Sequence, residues 1–402
     1  MKTLHNFYLL AVMAFLLGAA CSNNDPDEQP EPPEEPQEPV NFMDTASLET
    51  VLLNLREYIP TWEELEGFTS EAQRLPIPTF EKRALSWYGV ENDGGPFDTS
   101  QEWMPQVLAY NKNLIDQFGA NMSTALMSPL PPFTLEDGGE ITFPMEGDLL
   151  DKKLRSATVL FLYEKSLGLP STFVNFYPPH QESEVFETRA EFYQWLDTKF
   201  LPEKEAEAKA AELMKAEKYM PWPLEFELFI TDIGGIYDDG FLAQSSPEEV
   251  LEFANDVKAR IFNTVRPHFQ GNLVAHLFHN YTNRPEHNYW DQMSYEGFDE
   301  IHFAYFPQFD LETTARDLDT QLSHYAKIVQ NSGNIPWLAS EISVFEWYIE
   351  DGKMEEYEKD LYELVFTKLE TAPIPPKGIS PAGGYMKTQA AIDYVKNYFA
   401  SH

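Results

Sequence analysis

From residue 80 onward, short apolar runs alternate with longer amphipathic segments, eight times over. This repeat constrains the fold more than any other feature. Strands that alternate with helices describe a parallel α/β architecture, because a parallel neighbour can be reached only by a long crossover. The predicted strands are Arg83–Tyr88, Met122–Met127, Thr172–Tyr177, Tyr219–Glu227, Leu273–His279, Glu300–Phe306, Ile335–Ile342 and Gly378–Tyr385. Helical segments fall between them, and their ends are marked. Ser246-Pro247-Glu248-Glu249 reads as a hydroxyl cap, a proline in the first turn and acids against the helix dipole. Gly168 ends the helix predicted over about residues 149–167. Pro202 is expected to divide the Glu/Ala/Lys-rich segment over about residues 188–217. Residues 280–299, aromatic and irregular, read as more loop than helix.

Eight such units over about 320 residues fit a (β/α)8 TIM barrel. A doubly wound open sheet shares the alternation, but usually carries a glycine-rich phosphate loop, and neither GxGxxG nor a Walker sequence is present. No cofactor is expected on the same ground. Residues 80–402 are read as the barrel and residues 44–79 as a small N-terminal helical extension, packed outside the barrel or across its bottom.

The first forty-three residues read differently. Lys2, the apolar run Phe7–Leu17 and the small residues Gly18-Ala19-Ala20 precede Cys21, the single cysteine of the chain. The apolar run is too short to span a bilayer comfortably, which suits an export signal over residues 1–20. The segment resembles the lipobox of bacterial lipoproteins, with Gly18 where that family usually has an aliphatic residue, and implies lipidation at Cys21. Residues 22–40 hold seven acids and six prolines in nineteen positions. Such a stretch cannot pack; it reads as an extended tether over residues 21–43. Acids soon after the cysteine, from Asp25 onward, resemble the surface-export signal of Bacteroidetes lipoproteins; a plain spacer is the alternative. The expectation is a lipid-anchored protein of the bacterial outer membrane, surface-exposed or periplasm-facing, meeting the membrane through its lipid alone. With one cysteine and no disulfide, an exported chain must rely on its core. A net charge of −38 argues against nucleic acid and anionic lipid as partners. A monomer is expected.

In a barrel, chemistry sits at the C-terminal ends of the strands. Read in order, those ends offer Trp87, Ser128, His180, Glu225 and Glu227, His276 and His279, Tyr305, and Glu341. The ring is acidic and aromatic, which suits a sugar, whose C–H faces stack on aromatic rings while its hydroxyls bind polar groups. Glu225 follows the fourth strand and Glu341 the seventh, so both face one pocket. Two carboxyls in one pocket are what glycosidic-bond cleavage needs.

The stretches Pro223-Leu224-Glu225-Phe226-Glu227-Leu228-Phe229 and Trp337-Leu338-Ala339-Ser340-Glu341-Ile342 resemble those of the clan A retaining glycoside hydrolases. In that clan a glutamate after strand four, often within Asn-Glu-Pro, is the acid/base, and a glutamate after strand seven is the nucleophile. The resemblance covers most of residues 80–400 and implies Glu225 as acid/base, with Glu227 as the alternative and otherwise a substrate ligand. It implies Glu341 as nucleophile, and cleavage of a poly- or oligosaccharide by double displacement. Trp87, Trp222 and Trp337 are candidate stacking platforms; His180, His276 and His279 are candidate ligands of substrate hydroxyls. Tyr305 is placed to orient Glu341. Leu224 stands where the clan commonly has asparagine, which leaves a second reading open: a non-catalytic glycan-binding lipoprotein on a degenerate barrel. An envelope scaffold is a third. A metal-dependent barrel hydrolase would show His-x-His on its first strand, where this chain has Ser86-Trp87-Tyr88, so no metal is expected.

Overall fold

Among the described residues every strand pair is parallel, and the strands follow one another in chain order. The computed structural model describes residues 44–402 outside 56, 70–71, 84–85, 88–102, 124, 127–146, 175–185, 223–229, 231–239, 279–284, 308–309, 345–353 and 382–385. Its strands are β1 (Glu81–Lys82), β2 (Ser86–Trp87), β3 (Ala125–Leu126), β4 (Thr172–Val174), β5 (Lys218–Trp222), β6 (Asn272–Leu277), β7 (Glu300–Tyr305), β8 (Trp337–Ile342) and β9 (Gly378–Pro381). β4 to β9 pair in sequence, and β9 pairs with β1. On its other side, Lys82 exchanges hydrogen bonds with Asn121 on the approach to β3, and β2 pairs with β3. Ser123 then donates its N–H to Pro170 O on the approach to β4 at 2.8 Å. The links run round a ring, and the fold is an α/β barrel.

The helices are α1 (Thr45–Leu53), α2 (Trp62–Thr69), α3 (Trp103–Phe118), α4 (Gly147–Ser166), α5 (Arg189–Trp195), α6 (Leu201–Leu213), α7 (Pro247–Val265), α8 (Leu311–Asn331), α9 (Met354–Glu370) and α10 (Gln389–Ser401). Ser246 and Glu249 form a reciprocal capping box at α7, as do Thr188 and Glu191 at α5. Pro202 does not divide its helix. It lies in the first turn of α6, where its missing N–H matters least, and a π-helical turn, Leu196–Phe200, carries the chain through from α5. The stretch after β6 contains a 3₁₀ helix, Pro285–Gln292, rather than loop alone.

The extension packs on the barrel's outside. α1 buries Leu48, Val51 and Leu52, and lies against α3 and α4. The chain then crosses to the barrel's N-terminal end. There Leu75 N–H donates to Glu217 Oε1 at 2.6 Å, and Arg74 pairs with Glu212.

Two cores result. The outer one, between sheet and helices, is largely apolar, with a buried Lys204–Glu207 pair of α6 against Tyr219 of β5: Phe303 of β7 stacks on Tyr325 of α8 at 4.0 Å, with Trp337 edge-on to Phe303 at 5.5 Å. The inner one is ionic at the N-terminal end of the strands. Lys218 Nζ lies 2.5 Å from both Glu81 Oε1 and Glu300 Oε1. Lys377 joins both carboxylates, and Arg83 pairs with Glu81 and donates to Thr172 Oγ1 at 2.9 Å. Barrels commonly fill this space with branched apolar side chains. Here the packing is just as tight: a Cβ on Gly378 would meet Glu81 O and Leu338 Cδ1 at 2.5 Å, so only glycine fits.

Candidate active site

The opposite, C-terminal end of the sheet is where the sequence places chemistry, and there β8 departs from regular geometry. Ala304 of β7 pairs with Ser340, but Tyr305 pairs with Ile342. On the other side Ala339 pairs with Ile379, and Ile342 with Pro381, three steps on β8 against two on β9. Both neighbours skip one residue, and that residue is Glu341. It is a β-bulge. Its φ is +52°, in the left-handed region, where a side chain with a Cβ costs about 1–2 kcal/mol.

The bulge decides where the carboxylate goes. On a regular strand Trp337, Ala339 and Glu341 would share one face. Trp337 and Ala339 face the helices, as their partners Ile301, Phe303 and Ile379 do. The inserted residue takes Glu341 off that face and brings it beside His276 of β6. Glu341 is 1% exposed, with Oε2 4.0 Å from His276 Nε2. His276 Nε2 also lies 2.8 Å from Ser340 Oγ. Burial, with His302 and Arg83 nearby, pushes the His276 imidazole well below its ordinary range, so it is neutral at pH 7.

His302, 5.9 Å from His276 ring to ring, connects this end to the ionic core. Its Nε2 lies 2.5 Å from Glu300 Oε1. Burial pushes His302 down to about 4 despite that carboxylate. The ring is therefore neutral, and since a carboxylate only accepts, Nε2 carries the proton and donates. In the ionic core, burial alone would raise Glu81, but Arg83 foremost, with Lys218 and Lys377, holds it at about 2. Burial lowers Lys218 to about 8.

Of the residues expected in the site, the structure brings together Glu341 and His276, and adds Ser340. Trp337 is not a platform: its ring is buried between sheet and α8, and Nε1 donates to Ile374 O at 2.8 Å. Trp222 is likewise buried, edge-on to Tyr295 at 5.7 Å. Tyr305 does not orient Glu341; it pairs with the outward-facing Ile342 and donates its hydroxyl to Asp317 of α8 at 3.0 Å. Trp87 ends β2, opposite Leu126. Cys21, Ser128, His180, Glu225, Glu227 and His279 lie outside the described residues. Among the described residues no group of three or more His, Cys, Asp or Glu could hold a metal ion. Sequence reasoning passed over Ser340, and the signal was slight: a hydroxyl next to the candidate acid.

No family model matches the chain, and no curated protein matches it. Among solved structures, a GH113 β-1,4-mannanase superposes with a TM-score of 0.53 at 14% identity, covering 81% of this chain and 100% of that one. A GH113 β-mannanase from Alicyclobacillus acidocaldarius gives 0.45 at 13% identity, over 82% of this chain and 98% of that one. A β-glucosidase from Pyrococcus furiosus gives 0.47 at 9% identity, over 82% and 96%. The first likeness is one of fold, and it agrees with the ring of parallel strands.

Proposed function

We propose that the protein is a retaining glycoside hydrolase that cleaves a poly- or oligosaccharide, with Glu341 as nucleophile and Glu225 as acid/base. The observation that carries this reading is Glu341 itself: a buried carboxylate in a left-handed bulge at the C-terminal end of a barrel strand. Backbone held in a sparsely populated region persists only where the surroundings enforce it, and such residues cluster at active sites. In the reaction, Glu341 attacks the anomeric carbon while Glu225 protonates the departing oxygen. Glu225 then takes a proton from water, which displaces Glu341 from the sugar. The protein acts from the outer membrane, held through a lipid on Cys21.

β-1,4-Mannan heads the substrate panel, followed by β-glucans and aryl glycosides. Wild type is expected to release sugars with retained anomeric configuration, read by proton NMR. Glu341→Gln is expected to lose on the order of 10⁴-fold in kcat, as removal of a covalent nucleophile does. A 2-fluoro glycoside should label Glu341, located by mass spectrometry. Labelled palmitate should enter the wild type and not Cys21→Ser. Leu224 favours the second reading, a glycan-binding lipoprotein without catalysis. Glycan binding with no cleavage and no label would establish it and refute the hydrolase.

A further inference from the structure

A left-handed glutamate in a strand needs something to hold it. The residue before it, Ser340, is tied to a strand that is not its neighbour: His276 lies on β6, Ser340 on β8, and β7 runs between. The bond spans β7 because Ala304, the partner of Ser340 there, presents only a methyl group. We infer that Ser340 and His276 are positioning residues for Glu341, and that the hydrogen bond between them clamps the bulge that aims its carboxylate. The inference rests on the reading of Glu341 as nucleophile.

The clamp acts at the right place. Ser340 is the last residue of β8 in regular register before the bulge, so fixing its side chain limits the ψ of residue 340 and the φ of residue 341 together. His276 Nε2 stands 4.0 Å from Glu341 Oε2, beyond hydrogen-bond reach, so the ring steers the carboxylate without occupying its lone pairs. The nearby negative charge favours the proton on that nitrogen, so the ring donates to Ser340 Oγ. A charged imidazolium there would pair with the nucleophile and quench it; burial keeps the ring neutral.

Ser340→Ala removes one oxygen and keeps the volume. It is expected to lower kcat about 10²-fold with KM unchanged, the cost of a misplacement of roughly 1 Å. Ser340→Thr, which keeps the hydroxyl, should recover most of that loss. Crystal structures of the two variants supply a readout independent of activity. In the alanine variant Glu341 should leave the positive-φ region and its carboxylate should shift; in the threonine variant both should stay. An alanine variant with Glu341 unmoved overturns the clamp, whatever the activity. A raised KM with kcat intact also overturns it, since Ser340 and His276 would then touch substrate. If wild type cleaves no glycan yet the alanine variant releases Glu341, the clamp stands and the hydrolase reading falls.

Discussion

The two ends of the barrel interior use the same residue types to opposite ends. At the floor, the N-terminal end of the strands, each charge faces an opposite one: Glu81 with Arg83, Lys218 and Lys377, and Glu300 with Lys218 and Lys377, while the neutral His302 donates a hydrogen bond to Glu300. Gly378 fits there because the packing leaves no room for a side chain. At the mouth, Glu341 sits in a left-handed bulge beside a neutral histidine. Ser343 and Ser380, both buried near that end, have hydroxyls without a hydrogen-bond partner among the described residues. Desolvation is offset by pairing at the floor, whereas the mouth retains strain and unmatched polarity, each of which costs free energy. On the proposed function, stability and chemistry are thus separated along one axis.

Breaking the floor gives the largest effect expected on stability. Lys218→Met leaves Glu81 and Glu300 buried with only one of the two cations they share. The loss should be about 3–5 kcal/mol in urea unfolding, with the folded fraction as active as wild type. Loss of activity without loss of stability would place Lys218 in the chemistry and erase the division. Acid attacks the same region. His302 titrates at about 4 against an ordinary 6.5, so between those values the unfolded chain binds a proton that the folded one refuses. Stability should therefore fall as pH drops through that window, by on the order of 3 kcal/mol. Glu81, at about 2 against 4.5, extends the fall toward pH 2. Urea midpoints that stay flat from pH 7 to 4 would show that the floor is not the acid-labile part. The smallest effect tests the mouth. Asparagine tolerates the left-handed region better than glutamine does. Glu341→Asn should therefore be about 1 kcal/mol more stable than Glu341→Gln, although both lack the proposed nucleophile. Equal melting temperatures would mean that the bulge carries no strain.

The ring of strands was legible because the wall is built from local signals: apolar runs that face the helices, and hydroxyl caps such as Ser246 and Thr388. What failed was phase. Trp337 and Glu341 lie four residues apart and share a face on any regular strand, so an expectation that puts both in the site follows from period two. One inserted residue sends them to different environments, and nothing in Ala339-Ser340-Glu341 announces it, since glycine, the usual mark of a left-handed position, is absent. Tyr305 was misplaced for the same reason, its partner across the bulge being Ile342 rather than Glu341. The floor did leave a trace. Glu81, Lys218 and Glu300 each open a strand, a charge at the head of three apolar runs with signs that balance in part. His302 belongs with them, two residues into β7, rather than with histidines at the far end.

Because Glu81 pairs with Gly378, and Lys377 is the last cation to reach the floor, the ring closes through residues from opposite ends of the described chain. Closure over so long a loop is slow, and it follows the pairings made between near neighbours. Until residue 377 arrives, Glu81 and Glu300 are short of a counter-charge. A chain that emerges in order from a ribosome therefore has no complete interior until residue 377 is present. A chain cut short before residue 377 is expected to be open to proteolysis, which limited digestion of such a truncation would show.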